Sequence, residues 1–74
     1  MLLTVEYSPK GVVEIHCDEE GLDLLMSRLS VLKERGGHDH LKTPAWAGDE
    51  LTEGKQNASN ELINHLEIMV WPSS

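Results

Sequence analysis

The hydrophobic period of this chain changes twice, and that constrains its fold more than any other feature. From Asp18 to Arg35 the apolar residues recur at helical spacing, whereas the runs on either side alternate. Leu22, Leu25, Met26, Leu29 and Leu32 lie on one helical stripe; Asp23, Ser30, Lys33 and Glu34 lie off it. Asp18 is a good N-cap, and Glu19 and Glu20 suit the positive helix end. Lys33 and Arg35 suit the negative end, and Gly36-Gly37 offers a left-handed stop. The pattern predicts an amphipathic helix from about Asp18 to Arg35 with its leucine stripe toward a core. Fully burying each stripe residue contributes roughly 1.5–3 kcal/mol.

Before the helix, Leu3, Val5 and Tyr7 alternate with Leu2, Thr4 and Glu6. Val13, Ile15 and Cys17 then alternate with Glu14 and His16, after the turn-forming Ser8-Pro9-Lys10-Gly11. Two alternating runs joined by a short Pro/Gly turn predict a β-hairpin. Leu41 to Trp46 reads as a short strand that Pro44 confines to an edge or bulge. Glu50 to Ala58 is nearly devoid of apolar residues and reads as exposed loop. Glu61 to Trp71 reads as the last strand, with Leu62, Leu66, Ile68 and Val70 on one face and Asn64 the exception. Ile63, His65, Glu67, Met69 and Trp71 share the other face.

The expected architecture is therefore α+β: one helix on a small antiparallel sheet of three or four strands, in the order β-β-α-β-β. A chain of 74 residues is expected to be a single domain, 1–74. A domain of this size buries only about 60% of its unfolded surface, which leaves little room for a deep substrate pocket. The other sheet face would carry Glu14, His16, His65, Glu67, Met69 and Trp71. It has no second helix to cover it and is a candidate interface.

There are 13 acidic and 6 basic residues, a formal charge of −7. That balance repels phosphate backbones and argues against nucleic acid as a ligand; a basic partner fits it, and so does a charge that only keeps the chain in solution. A single cysteine, Cys17, excludes an internal disulfide and reads as a small buried hydrophobe. No apolar run approaches the roughly 20 residues of a membrane span, and the start lacks the features of a signal peptide. The cytoplasm is the expected compartment.

The stretch Gly37 to Trp46 concentrates polar and aromatic residues. In an extended segment His38 and His40 fall on one side, and with His65 or His16 they could form a three-ligand site suited to zinc. The competing reading is that these histidines are structural, capping the helix end. Asp39, Asp49, Glu50, Glu53 and Glu61 could do acid–base work if they converged, but a solvated acidic face explains them as well. Trp46 and Trp71 are either core filling or binding anchors. No nucleophile–base–orienter set and no phosphate loop is evident.

Four segments, Val-Glu-Ile-His-Cys-Asp-Glu-Glu-Gly-Leu (13–22), Gly-Gly-His-Asp-His-Leu-Lys-Thr-Pro-Ala-Trp (36–46), Glu-Leu-Thr-Glu-Gly-Lys-Gln (50–56) and Asn-Glu-Leu-Ile-Asn-His-Leu-Glu-Ile (60–68), together resemble the immunity protein 32 family of bacterial polymorphic toxin systems. The resemblance covers about residues 12 to 70. It implies a small protein that binds and neutralises a cognate toxin domain without catalysis or cofactor of its own. Asp39, Trp46, Asp49, Glu50 and Glu53 are then the expected partner-binding residues, facing a toxin whose surface could be basic. Two alternatives stand beside it. One is a metal-binding domain or metal-dependent enzyme using His38, His40 and His65. The other is a structural homo-oligomer, with a homodimer formed through the open sheet face.

Overall fold

The computed structural model describes residues 1–73. Strands β1 (Leu3–Tyr7) and β2 (Val13–Cys17) form the antiparallel hairpin, with Leu3 opposite Cys17 and Val5 opposite Ile15. Ser8 closes its turn, donating from its N–H to the Val12 carbonyl at 2.9 Å and accepting the Val12 N–H on Oγ at 3.1 Å.

Helix α1 (Glu19–Arg35) begins and ends as its sequence dictates. Asp18 Oδ1 accepts the Gly21 N–H at 2.7 Å. Gly36, at φ 73°, leaves the helix and donates its N–H to the Leu32 carbonyl at 2.7 Å. Strands β3 (Gly37–Lys42), β4 (Glu61–Ile63) and β5 (His65–Val70) follow, with a 3-10 turn at Pro44–Trp46 after β3. The α+β class and the β-β-α-β-β order hold, with the final strand divided in two. The third strand lies earlier than the expected Leu41–Trp46. Pro44 cannot donate to a ladder and opens the 3-10 turn instead.

The expected single sheet is two sheets. One has the order β2-β1-β4, the other pairs β3 with β5, and every pairing is antiparallel. The run from Glu61 to Val70 changes partner at Asn64. Thr43 holds Asn64 twice there: its N–H donates to the Asn64 carbonyl at 3.0 Å and its hydroxyl to Asn64 Oδ1 at 2.7 Å. The extra residue shifts the alternation, so Ile63 faces the core before the switch and Leu66 and Ile68 face it after.

The core is Leu3, Val5, Leu41 and Leu51, with Cys17, Leu24, Leu25, Ile63, Leu66 and Ile68 against it. Leu51 corrects the reading of Glu50–Ala58 as all exposed. It is the one large apolar residue there, and its N–H donates to the Lys42 carbonyl at 3.1 Å. The helix stripe also needs correction. Leu32 is buried and Leu25 half-buried, but Leu22, Met26 and Leu29 are exposed, as are Val13 and Ile15 on β2. Gly21 explains the rotation. A Cβ there would stand 1.8 Å from the Leu2 carbonyl oxygen, so the backbones touch at this residue. The inward face is consequently Gly21, Leu24, Leu25, Arg28 and Leu32.

β1 is buried on both sides. Thr4 and Glu6, on the face away from Val5, have no solvent exposure (0%). Segment 52–60 covers them and supplies Glu6 with donors. Oε2 accepts the Thr4 hydroxyl at 2.5 Å and the Gln56 N–H at 3.0 Å. Oε1 accepts the Asn57 N–H at 3.3 Å and Asn60 Nδ2 at 3.0 Å. Asn60 Nδ2 also donates to Glu14 Oε1 at 3.0 Å, joining the two carboxylates. Burial by itself would raise the Glu6 pKa. The bonds from Gln56, Thr4, Asn60 and Asn57 outweigh it and hold the carboxyl at about 2. The mixed face expected to be open is thus covered where it carries Glu14 and His16.

Two outcomes follow. Gly21→Ala lowers stability in urea unfolding even though alanine is the better helix former by about 1 kcal/mol, because its methyl meets the Leu2 backbone. Glu6 has a folded pKa of about 2 against an ordinary 4.5, so its contribution is fully present above about pH 4.5 and is lost as pH falls toward 2. Glu6→Gln puts an NH2 against two donors; it costs about 1–3 kcal/mol at neutral pH and flattens the acid limb of a stability–pH curve.

Candidate functional site

The open face belongs to the β3–β5 ribbon. Register places His40 opposite Glu67, His38 opposite Met69 and Lys42 opposite His65, so all six side chains share one side. The three histidines of the alternative metal-site reading, whose convergence the sequence left open, lie side by side on this face. His40 Nδ1 is 2.7 Å from His65 Nε2, a hydrogen bond in which one ring carries the proton. His38 and His40 meet edge to face with centroids 5.0 Å apart. On the other side of its ring, His40 Nε2 lies 3.4 Å from Glu67 Oε2.

Trp46 flanks this group, its ring centroid 6.1 Å from that of His65. The 3-10 turn places it. The Thr43 carbonyl accepts the Trp46 N–H at 2.9 Å and the Gly48 N–H at 3.0 Å, while Ala47 takes a left-handed φ of 63°. Trp46 is 55% exposed and Trp71 80%. An open depression of about 320 Å³ lies between His38, Glu67, Met69 and Trp71. Both tryptophans stand at the edges of this face rather than in the core.

Asp39 points the opposite way, beneath the ribbon, and meets Arg28 of α1. Arg28 Nε donates to Asp39 Oδ2 at 2.5 Å and Nη2 to Oδ1 at 2.6 Å, a bidentate pair. Nη2 also lies 3.7 Å from Glu50 Oε1. The hydrogen bonds from Arg28 hold the Asp39 carboxyl below its usual range, against the opposing effect of burial. The same pairing raises the pKa of Arg28. Burial pushes the Glu50 carboxyl up, but the Asp49 N–H on Oε2 at 2.7 Å and the Arg28 charge bring it below its ordinary value. Asp39, Asp49 and Glu50 all act on the one guanidinium, so this corner stays net negative.

Of the five expected partner-binding residues, Trp46, Asp49 and Glu53 are exposed, Glu50 is half-buried, and Asp39 is engaged by Arg28. Sequence reasoning missed Arg28, Glu6 and the role of Glu67. Arg28 could have been found from the spacing of Gly21, Leu24, Leu25, Arg28 and Leu32, which is as helical as the leucine stripe. Glu67 was detectable as the residue two places from His65. Glu6 had no signal, because three of its four donors come from a loop some fifty positions away.

The model of the immunity protein 32 family matches residues 12–67. The chain belongs to that family. No curated protein and no solved structure matches it. The matched segment runs from the end of the first turn into β5. It includes the whole helix, the Arg28–Asp39 pair, the acidic loop and all three clustered histidines. Among the described residues, no helix is long and apolar enough to cross a membrane.

Arg28→Met and Asp39→Asn each cost about 1.5–3 kcal/mol, the range for hydrogen bonds to charged groups. The double variant costs little more than either single one, since each already breaks the pair. Chemical denaturation of the full double-mutant cycle measures this.

Proposed function

We propose that this protein binds a cognate bacterial toxin domain and neutralises it by occupying its surface, without turnover of its own. The observation that carries this reading is the family match over most of the chain. The geometry supports a binding role: two exposed tryptophans flank an open sheet face, and an acidic corner lies close to one of them. Trp46, Asp49, Glu50 and Glu53 form the contact surface. Asp39 holds Arg28, and through it Glu50, in place. The partner surface is basic, and the formal charge of −7 steers its approach. The encounter takes place in the cytoplasm, and nucleic acid and membrane are not ligands.

The test is co-expression with the toxin encoded beside this protein, followed by gel filtration of the mixture. Restored growth and a stoichiometric complex are expected; continued killing with no complex would sink the proposal. Within a complex, Trp46→Ala raises Kd by at least tenfold, mainly through faster dissociation. The pair Asp49→Lys and Glu53→Lys slows association and weakens its salt dependence. Stopped-flow kinetics at two ionic strengths separates these effects.

The exposure of Met69 and Trp71 also favours a homodimer through the β3–β5 face. Light scattering at micromolar concentration tests it, and a monomer there rejects it.

A further inference from the structure

We propose that the open face of the β3–β5 ribbon binds a divalent transition-metal ion of the zinc class. His38, His40 and Glu67 are its ligands, and His65 is a positioning residue behind His40. The donor atoms of His38, His40 and Glu67 lie within 4.8 Å of one another. Sheet register holds them together. His38 and His40 are two apart on one strand, and Glu67 stands directly across from His40. Metal–ligand distances of about 2.0–2.2 Å set tetrahedral edges of about 3.3 Å. The side chains of His40 and Glu67 are 39% and 41% exposed, and His38 is exposed too, so rotation can close the remaining gap without disturbing the core.

His40 is already arranged as a ligand. One ring nitrogen, Nε2, faces Glu67 and the centre of the cluster. The other, Nδ1, is 2.7 Å from His65 Nε2. With the proton on His40 Nδ1, His65 accepts it, and the lone pair of His40 Nε2 is left for the ion. A hydrogen bond to the distal nitrogen that fixes tautomer and ring orientation is the usual support of a metal-bound histidine. It also explains why His65 is not the third ligand: it contacts the nitrogen on the far side of the ring.

The donor set selects the ion. Two imidazoles and one carboxylate suit zinc, nickel, copper or iron, whereas calcium and magnesium prefer all-oxygen shells. Two neutral imidazoles with one carboxylate carry one negative charge, which complements a divalent cation. Three protein donors leave a fourth position for water or an incoming side chain. Bound there, the ion staples β3 to β5.

The experiment uses the full chain without a histidine tag. Zinc is titrated by calorimetry, and cobalt is titrated by its visible ligand-field absorption. The expected result is one ion per chain and a melting temperature several degrees higher at saturating zinc. His38→Ala and Glu67→Gln each weaken binding at least tenfold while leaving the metal-free melt unchanged. His65→Ala weakens it roughly 10–100-fold and preserves the shape of the cobalt spectrum, because the ligands remain. Binding no stronger than that of the His38→Ala/Glu67→Gln double variant overturns the proposal. So does an affinity indifferent to Glu67→Gln but abolished by His65→Ala, which would make the third ligand His65.

Discussion

The two hydrogen bonds between Thr43 and Asn64 are the constraint on which the arrangement of this protein depends. They fix the point where one continuous run leaves the β2-β1-β4 sheet and enters the β3–β5 ribbon. Thr43 is wholly buried, so its hydroxyl has no water to turn to. The shift of alternation at Asn64 sends Leu66 and Ile68 inward. That in turn sends His65, Glu67 and Met69 outward, beside His38 and His40. Without the shift, His65 and Glu67 would face the core and Leu66 and Ile68 would face solvent, leaving His38 and His40 without their neighbours.

Glu6 organises the other half. A buried carboxylate is stable only when its lone pairs are satisfied, and all four donors it uses come from Thr4 and the 56–60 segment. The charge therefore folds a polar loop that has no large apolar residue to fold it. The Arg28–Asp39 pair adds a second ionic tie, joining the helix to β3 beside the core residue Leu41. A small core leaves that task to polar contacts.

The elements governed by local chemistry were legible in the sequence: the hairpin with its Ser8–Gly11 turn, the Asp18 cap and the Gly36 stop. The class, the element order and the openness of the His65–Trp71 face were legible as well. The orientation of the helix was not. Leu22, Met26 and Leu29 look like a core stripe until the contact between Gly21 and Leu2 is known, and that contact joins residues far apart in period. The division of the sheet was hinted at by Asn64, which broke the alternation, but its partner Thr43 could not be read from spacing. At the candidate site, the closeness of His38 and His40 followed from parity alone. The placement of Glu67 and His65 around them needed the register of β3 on β5, which no local pattern encodes.

β1 lies in the middle of its sheet, and its two neighbours reach it at very different times. β2 follows within a few residues, but β4 lies most of the chain away. Three of the four donors of Glu6 are equally late. During synthesis the hairpin and helix can form as they emerge, yet Glu6 and the inner edge of β1 wait for residues 56–63. The ribbon waits longer still, for its partner strand to reach Val70. Folding of this protein is therefore completed only after β5 has left the ribosome. Until then, the leucines of the helix have no finished core to share.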